Sequence, residues 1–394
     1  MREVVLKSFL KLEQYCAREQ FSGWDPYDGL SSKVFNAIPF LPNQHLPKLM
    51  WIQLIKKMPV NMRPILKIEK GINPKGLALF ISGYSKLTGL KSFRYDANNK
   101  IKALTEKVLS LRSSGYSGNC WGYNFDWEAR AFFQRKYTPT IVATSFVANS
   151  LIDAYEATQN ESYLRAAISS KDFIIKDLNR TVKNGNFAFS YSPFDQTSVF
   201  NASLLGARLL SRIYRYTNQE ELIQLSKKAV AYCCEHQNAD GSWFYSTLPF
   251  HQWIDNFHTG FNLECISEYG LYSGDNTFQS SFDKGLEYYL NNFFDGEGRS
   301  KYYNNSLYPV DIHAPSQLVI TLAKANLFDA NRQLVDKVLA WTIKNMQSRE
   351  GYFFFQKRKY YTNKIPYMRW SQAWIFYAFT YYILSTYRAD ENLV

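Results

Sequence analysis

The chain has 394 residues, enough to bury a large core in one to three domains. Its 46 Lys and Arg against 34 Asp and Glu leave a net charge of +12, which favours anionic partners: acidic glycans, nucleic acid or anionic lipid. Five cysteines without C-x-x-C or framework spacing exclude a disulfide scaffold and suit free, buried thiols in a reducing compartment.

The opening residues, MREVVLKSFLKLEQYC, lack the apolar run and small-residue cleavage site of a secretory signal, so a cytoplasmic protein is expected. Residues 20–46 contain GWDPYDG and several prolines and read as loop. From Lys56 to Lys75 there are six basic residues and one acid, Glu69, and a second basic knot is Lys357, Arg358 and Lys359. These runs leave peripheral membrane contact open. Residues 1–70 are expected to form an N-terminal helical extension and residues 71–394 one compact unit.

Beyond residue 70 the chain repeats itself. GLALFISGYSKLTGLKSF with its sequel KALTEKVLSL, then residues 144–178, 200–237, 260–294 and 314–347, each give an apolar helix, a short polar break and a more amphipathic helix. The breaks TQNE, TNQE, SGDN and DANR recur at a period of roughly 55 residues, as in a helix-pair array. The last segment, SQAWIFYAFTYYILSTY, is apolar on nearly every face, and its apolar run is too short to span a bilayer. Twelve or thirteen helices are expected in all. QNADGSW (237–243) and QSREGYF (347–353) share Gln, three residues, Gly, one residue and an aromatic, and NGNFAF (184–189) is a weaker relative. Glycine stops the helix there and the aromatic packs back on it, a structural punctuation.

This Gln-x-x-x-Gly-x-Trp pattern resembles the repeat of terpene cyclases and protein prenyltransferases. The resemblance implies an all-α fold, an (α/α)6 toroid of helix pairs with an N-terminal extension. YMRWSQAW (367–374) looks like the inner-helix starts of (α/α)6 enzymes that handle uronic acids. From about residue 70 the chain resembles α/α-toroid proteins of bacterial capsule and exopolysaccharide biosynthesis.

In such a ring the loops before the inner helices meet at one mouth. Those loops are residues 119–140, 190–198, 251–259, 308–317 and 365–374, and each carries aromatics with an acid, histidine or arginine. A single Asp there is also a good helix N-cap, but capping does not explain the Trp, Tyr, His and Arg that gather beside it. The aromatic content of 17% suits sugar binding, because Tyr and Trp offer a flat apolar face with a polar handle. Trp121, Tyr123, Trp127, Trp253 and Trp370 are candidates to stack on sugar rings. Asp126, Arg130, His251, Asn256, Asp311 and Gln372 are candidates to bind hydroxyls and carboxylates.

His251, Asp255 and His258 have the spacing of one helical face, yet no H-E-x-x-H or cysteine pair accompanies them, and neither metal nor cofactor is expected. D-x-D-D and D-D-x-x-D are missing, which disfavours isoprenoid chemistry. No G-x-x-x-x-G-K-[ST] or strand-linked G-x-G-x-x-G occurs, and a nucleic-acid role would rest on charge alone. Three readings remain. Hydrolysis would use two carboxylates, Asp195 and Asp255. Elimination or C5-epimerisation of a uronic acid would use His258, His313 or Tyr123 as acid and base, with Arg369 or Arg130 on the carboxylate. A non-catalytic glycan-binding or scaffolding subunit, working beside polysaccharide-assembly proteins, is the third.

Overall fold

The computed structural model describes residues 1–387. Among them run fourteen α-helices: α1 (Arg2–Arg18), α2 (Lys33–Asn36), α3 (His45–Lys57), α4 (Pro74–Leu87), α5 (Arg94–Ser110), α6 (Ile141–Thr158), α7 (Glu161–Asp172), α8 (Phe200–Thr217), α9 (Glu220–Cys234), α10 (Asn256–Ser273), α11 (Gln279–Phe293), α12 (His313–Lys324), α13 (Arg332–Met346) and α14 (Ala373–Thr386). Helices α4, α6, α8, α10, α12 and α14 pack in that order, and α14 closes back on α4. They are the inner ring, buried on almost every face as their small and apolar composition requires. Each carries an outer partner with one buried stripe: α5 on α4, α7 on α6, α9 on α8, α11 on α10 and α13 on α12. The fold is an (α/α)6 toroid.

The sixth outer helix is α1, which packs on α14 and α13. The boundary expected at residue 70 therefore moves, because the chain's first helix belongs to the ring and the extension proper is residues 19–72. The repeat punctuation shows the equivalence. Gln237 donates to the carbonyls of Gly241 and of Ser281 on α11, and Gln347 donates to those of Gly351 and of Ser8 on α1. Gly241 (φ +89°) and Gly351 (φ +100°) sit in the left-handed region, and a Cβ on either would lie 2.3 Å from the carbonyl oxygen of Lys284 or Lys11. At both places the turn is pressed against the next outer helix.

The residues expected as loop, 20–46, hold the single-turn α2 and two 3-10 turns, Asp28–Ser31 and Leu41–Asn43. A small core of Leu30, Phe35 and Ile52 steadies this extension, with Trp51 stacked on Phe35. Arg63, fully buried, ties it together by donating to the Asp28 carboxylate (2.8 Å) and the Asp25 carbonyl (2.8 Å). Among the described residues the strands are short and lie in the connections, as two hairpins and one three-stranded sheet in which Val310–Asp311 pairs with the 356–363 hairpin. The five cysteines are unpaired, four of them buried. No helix among the described residues is long and apolar enough to cross a membrane.

Candidate active site

All six inner helices present their N-terminal ends to one cavity of about 410 Å³. Lys75 comes from the first turn of α4, where Asn73 caps the helix by accepting from the Lys75 N–H (3.0 Å). Val142, Asn201, His258 and His313 come from the starts of α6, α8, α10 and α12. A π-helical turn over Met368–Gln372 leads into α14 and delivers Arg369 and Trp370. The extension closes one side with Tyr27 and the α3 residues Leu49, Gln53 and Lys56.

The loop of residues 251–259 holds two of the five histidines of the chain. Asp255 is the N-cap of α10 and accepts from the His258 N–H (3.0 Å). Its Oδ2 also holds His258 Nδ1 at 2.7 Å and accepts from Trp253 Nε1 (3.0 Å). An ionised Asp255 fixes the proton on Nδ1 and leaves Nε2 as the basic nitrogen. Trp253 stacks on Tyr245, 4.7 Å between centroids and 14° between planes. His251 bonds Ser246 through Nδ1 (2.9 Å), and burial, with the Arg130 charge, lowers its pKa to about 4.

His313 lies on the floor. It stacks on Phe257 (4.4 Å, 7°) and against Trp374 (4.1 Å), and neither ring nitrogen has a hydrogen-bond partner among the described residues. Burial first, then the charges of Lys75, His258 and Arg369, hold it neutral. Phe257 lies 4.4 Å from the His258 ring as well, so the two imidazoles flank one phenyl group. Lys75, 5% exposed, places its amine over Phe146 (4.4 Å), Trp374 (5.2 Å) and Phe261 (5.5 Å), with no carboxylate in ion-pairing range among the described residues. Burial, and secondarily Arg369, depress its pKa well below that of an ordinary lysine.

Arg369 is committed to the extension, donating from Nε (2.5 Å) and Nη2 (2.7 Å) to the two oxygens of Asp25. Its guanidinium also lies 5.2 Å from the Tyr123 ring. Tyr123 and Tyr191 share a hydroxyl–hydroxyl bond of 3.0 Å, and burial raises the pKa of both. Lys56 donates to the Tyr27 hydroxyl (2.7 Å), and Tyr27 meets Trp127 and Trp370 at 5.9 and 5.7 Å. Arg130 sits at the rim, donating to the Phe250 carbonyl (3.1 Å).

The cavity thus collects Tyr123, Trp127, Arg130, His251, Trp253, His258, His313, Arg369 and Trp370. Seven other expected residues lie elsewhere, each for a visible reason. Asp195 staples its own loop, accepting from the N–H groups of Tyr191, Ser192 and Thr197 and from the Ser192 and Thr197 hydroxyls. Trp121 is wholly buried and donates to the Val108 carbonyl on α5, as Trp243 does to Cys233 on α9, so it is repeat punctuation. Gln372 clamps both backbone groups of Phe353. Asn256 accepts from Tyr289 behind the wall, and Asp126 accepts from the Lys136 N–H. Asp311 and Asp255 act through others: Asp311 accepts from Trp370 Nε1 (3.0 Å), Gln356 and the His313 N–H. Among the described residues no three His, Cys, Asp or Glu side chains converge in a way that could hold a metal. His251 belongs to a 3-10 turn rather than to α10, which removes the shared helical face.

The sequence reading missed Lys75, Tyr27, Tyr191, Asn201 and Tyr245. For Lys75 a signal existed: Asn73–Pro74 is a side-chain cap followed by a first-turn proline, and Thr140 and Asp255 likewise cap inner helices at the mouth.

No family model matches the chain, and no curated protein matches it in sequence. Solved structures do match. A glycoside hydrolase family 76 α-mannanase of Bacteroides thetaiotaomicron is 12% identical, with a TM-score of 0.62 over 79% of this chain and 86% of that one. A cellobiose 2-epimerase of Bacillus thermoamylovorans is 11% identical, with a TM-score of 0.63 over 80% and 88%. An unsaturated glucuronyl hydrolase specific for heparin is 12% identical, with a TM-score of 0.58 over 80% and 88%. At these identities the likeness is one of fold, the α/α toroid.

Proposed function

We propose that the protein is an enzyme that moves a proton on the carbon skeleton of an acidic sugar, by epimerisation or elimination. The observation that carries this reading is the cavity floor: a carboxylate-oriented histidine and a neutral, unpartnered histidine flank Phe257, beside a buried amine without a counter-ion. His258 Nε2 is the base for a C–H proton next to a carboxylate, and Asp255 stabilises the imidazolium that results. Tyr123, whose hydroxyl burial keeps protonated, gives a proton to the other face of that carbon or to a leaving oxygen, and the neutral His313 bonds a sugar hydroxyl. Lys75 meets the substrate carboxylate and takes up the enolate charge that develops during transfer, a stabilisation strong in a water-poor site. Arg369, already neutralised by Asp25, sets the local field and holds the extension in place.

Hydrolysis by paired carboxylates is disfavoured, because Asp195 is used up in its loop. The fold neighbours, which by name include a cellobiose epimerase and a glucuronyl hydrolase, are in keeping with a sugar substrate. Trp127, Trp253 and Trp370 supply apolar faces for pyranose rings. The setting that suits the cationic mouth and the free thiols is cytoplasmic, in bacterial cell-surface polysaccharide biosynthesis beside assembly proteins. Incubation with acidic and neutral oligosaccharides in deuterated water, read by NMR and mass spectrometry, tests the reading. One deuterium gained without cleavage, or a new unsaturated sugar, is the expected result. Binding without product would make the protein a glycan-binding subunit, and a gain of water would restore hydrolysis.

A further inference from the structure

Two features of the sequence lie largely outside the cavity: the basic segment from Lys57 to Lys70, of which Lys57 alone reaches the rim, and the basic knot at Lys357–Lys359. The structure brings them together, and it surrounds them with apolar side chains. Of the nineteen large apolar residues most exposed among the described ones, eight fall between Val34 and Ile65. Phe40 is 78% exposed, Ile65 68%, Val60 65%, Met50 63% and Leu46 61%. On α3 the stripe is regular. Leu46, Met50 and Leu54, four residues apart, face outward, while Ile52 and Ile55 are buried on the other side. One turn beyond Leu54, the Tyr361 hydroxyl donates to the Lys57 carbonyl (3.0 Å), and Asn363 donates to the Met58 carbonyl (2.9 Å). These bonds dock the hairpin of Lys357–Lys359 against the end of α3, with Tyr360 86% exposed at its tip. Exposed Lys57 and Lys67 and the hairpin Lys359 carry no ion pair among the described residues. From residue 33 to 75 there are eight basic residues and a single acid, Glu69.

We propose that this face, α3 with its flanking loops and the 356–363 hairpin, docks on an anionic lipid bilayer. Protruding Phe, Leu and Met beside Lys and an exposed Tyr is the pattern of a helix lying in the headgroup region, where apolar burial and attraction to acidic lipid act together. A protein partner would call for a face whose centre is poor in lysine. The occupant is set by charge complementarity: a surface with excess cations and exposed apolar groups fits a surface that is negative outside and apolar beneath. The same α3 lines the cavity with Leu49, Gln53 and Lys56, so docking places the mouth beside the membrane. The docking stands apart from the chemistry in the cavity. Only its consequence, that a glycan still attached to lipid reaches the mouth, rests on the proposed function.

The test is flotation of the full chain with vesicles of phosphatidylcholine alone or with about 30% phosphatidylglycerol. Partition onto the anionic vesicles is expected to be at least about 10-fold stronger, and to weaken steeply as salt shortens the screening length. Phe40→Asp with Met50→Glu should lower it by about 10-fold or more, because each buries apolar surface only in the bilayer. Both sites are exposed, so the thermal midpoint of the variant should match that of the parent. Lys57→Glu with Lys359→Glu should abolish the preference for acidic lipid while leaving the fold unchanged. Equal weak partition onto both vesicle types, or partition indifferent to these substitutions, would overturn the proposal. So would a concentration-dependent dimer in ultracentrifugation that Met50→Glu dissolves, since a second copy would then cover the face.

Discussion

The two ends of the toroid's interior treat charge in opposite ways. Toward the C-terminal ends of the inner helices, Arg212 meets Asp153 (2.7 Å) and Glu156 (2.9 Å), and Lys324 meets Glu264 (2.6 Å) and Glu268 (3.0 Å). Arg208 bonds Glu264 and lies 3.4 Å from Glu268, while Ser82 and Gln317 donate to Asp153 and Glu264. That end is a plug in which each charge has a counter-charge. At the N-terminal end, Lys75 and His313 are as deeply buried, yet among the described residues Lys75 has no carboxylate in ion-pairing range and the His313 ring nitrogens have no hydrogen-bond partner. Burial of ionisable groups is common to both ends, so burial alone does not mark function. The missing partner does: a polar group left unsatisfied in a cavity is waiting for one from outside.

The largest effect expected from breaking this contrast is at His258. His258→Asn keeps a hydrogen-bonding group toward Asp255 but no base, and turnover on the substrate identified by deuterium exchange should fall about 10²- to 10⁴-fold. Asp255→Asn is the sharper variant, because Asn also caps helices well. It should leave the urea midpoint nearly unchanged and still slow proton transfer, whereas a purely structural Asp255 would show no kinetic loss.

Next in size is the plug. Arg208→Met leaves Glu264 and Glu268 with one cation fewer, and unfolding free energy should drop by about 3–5 kcal/mol in urea titrations. Lys75→Met is the mirror experiment. It removes a buried amine that has no partner, so stability should hold or rise while turnover collapses. Comparable destabilisation by both substitutions would mean that the two ends are not different in kind. Smaller again is Asp195→Ala, which removes five hydrogen bonds from one loop. It should cost about 1–3 kcal/mol with no change in the kcat of the folded enzyme, and loss of kcat would return Asp195 to the catalytic group.

How much of this was legible beforehand depended on sequence distance. The helix pairs are local, so periodicity and polar breaks displayed five of them, and α14 announced itself by its all-round apolarity. Helix α1 did not, because its partner α14 lies at the far end of the chain and nothing local distinguishes an outer ring helix from a leading extension. The mouth was legible through the loops' shared composition, which gathered His258, His313, Arg369 and the tryptophans. Trp121 and Asp195, expected at the mouth, fall outside the cavity lining for one reason. Punctuation and turn-stapling residues sit within a few positions of the mouth residues, and composition does not tell which way a side chain points. The clamp of Arg369 by Asp25 was invisible, since it joins residues 344 apart.

The pH dependence of stability should separate the two ends without any substrate. His251, at the cavity, has its pKa lowered from 6.5 to about 4 by burial and Arg130. Above pH 6.5 both folded and unfolded chains carry it neutral. As pH falls, the unfolded chain takes the proton near 6.5 and the folded chain only near 4, so stability declines across that window, and the depressed His313 acts in the same direction. At the plug, burial pushes Asp153 up, but Arg212, with Lys86, Ser82 and Lys324, outweighs it and holds the pKa at about 2 against an ordinary 3.8. Its contribution is present in full above about pH 4 and is lost only as pH drops toward 2. The cavity end should therefore loosen in mild acid while the plug holds. His251→Asn, which keeps an acceptor for Ser246, should flatten the urea midpoint between pH 6.5 and 4 by the equivalent of about 1–3 kcal/mol. Asp153→Asn should flatten it only below pH 4. If His251→Asn and the parent lose the same stability over the upper window, the acid sensitivity of the mouth belongs to His313 or to the extension it supports, and His313→Asn becomes the decisive comparison.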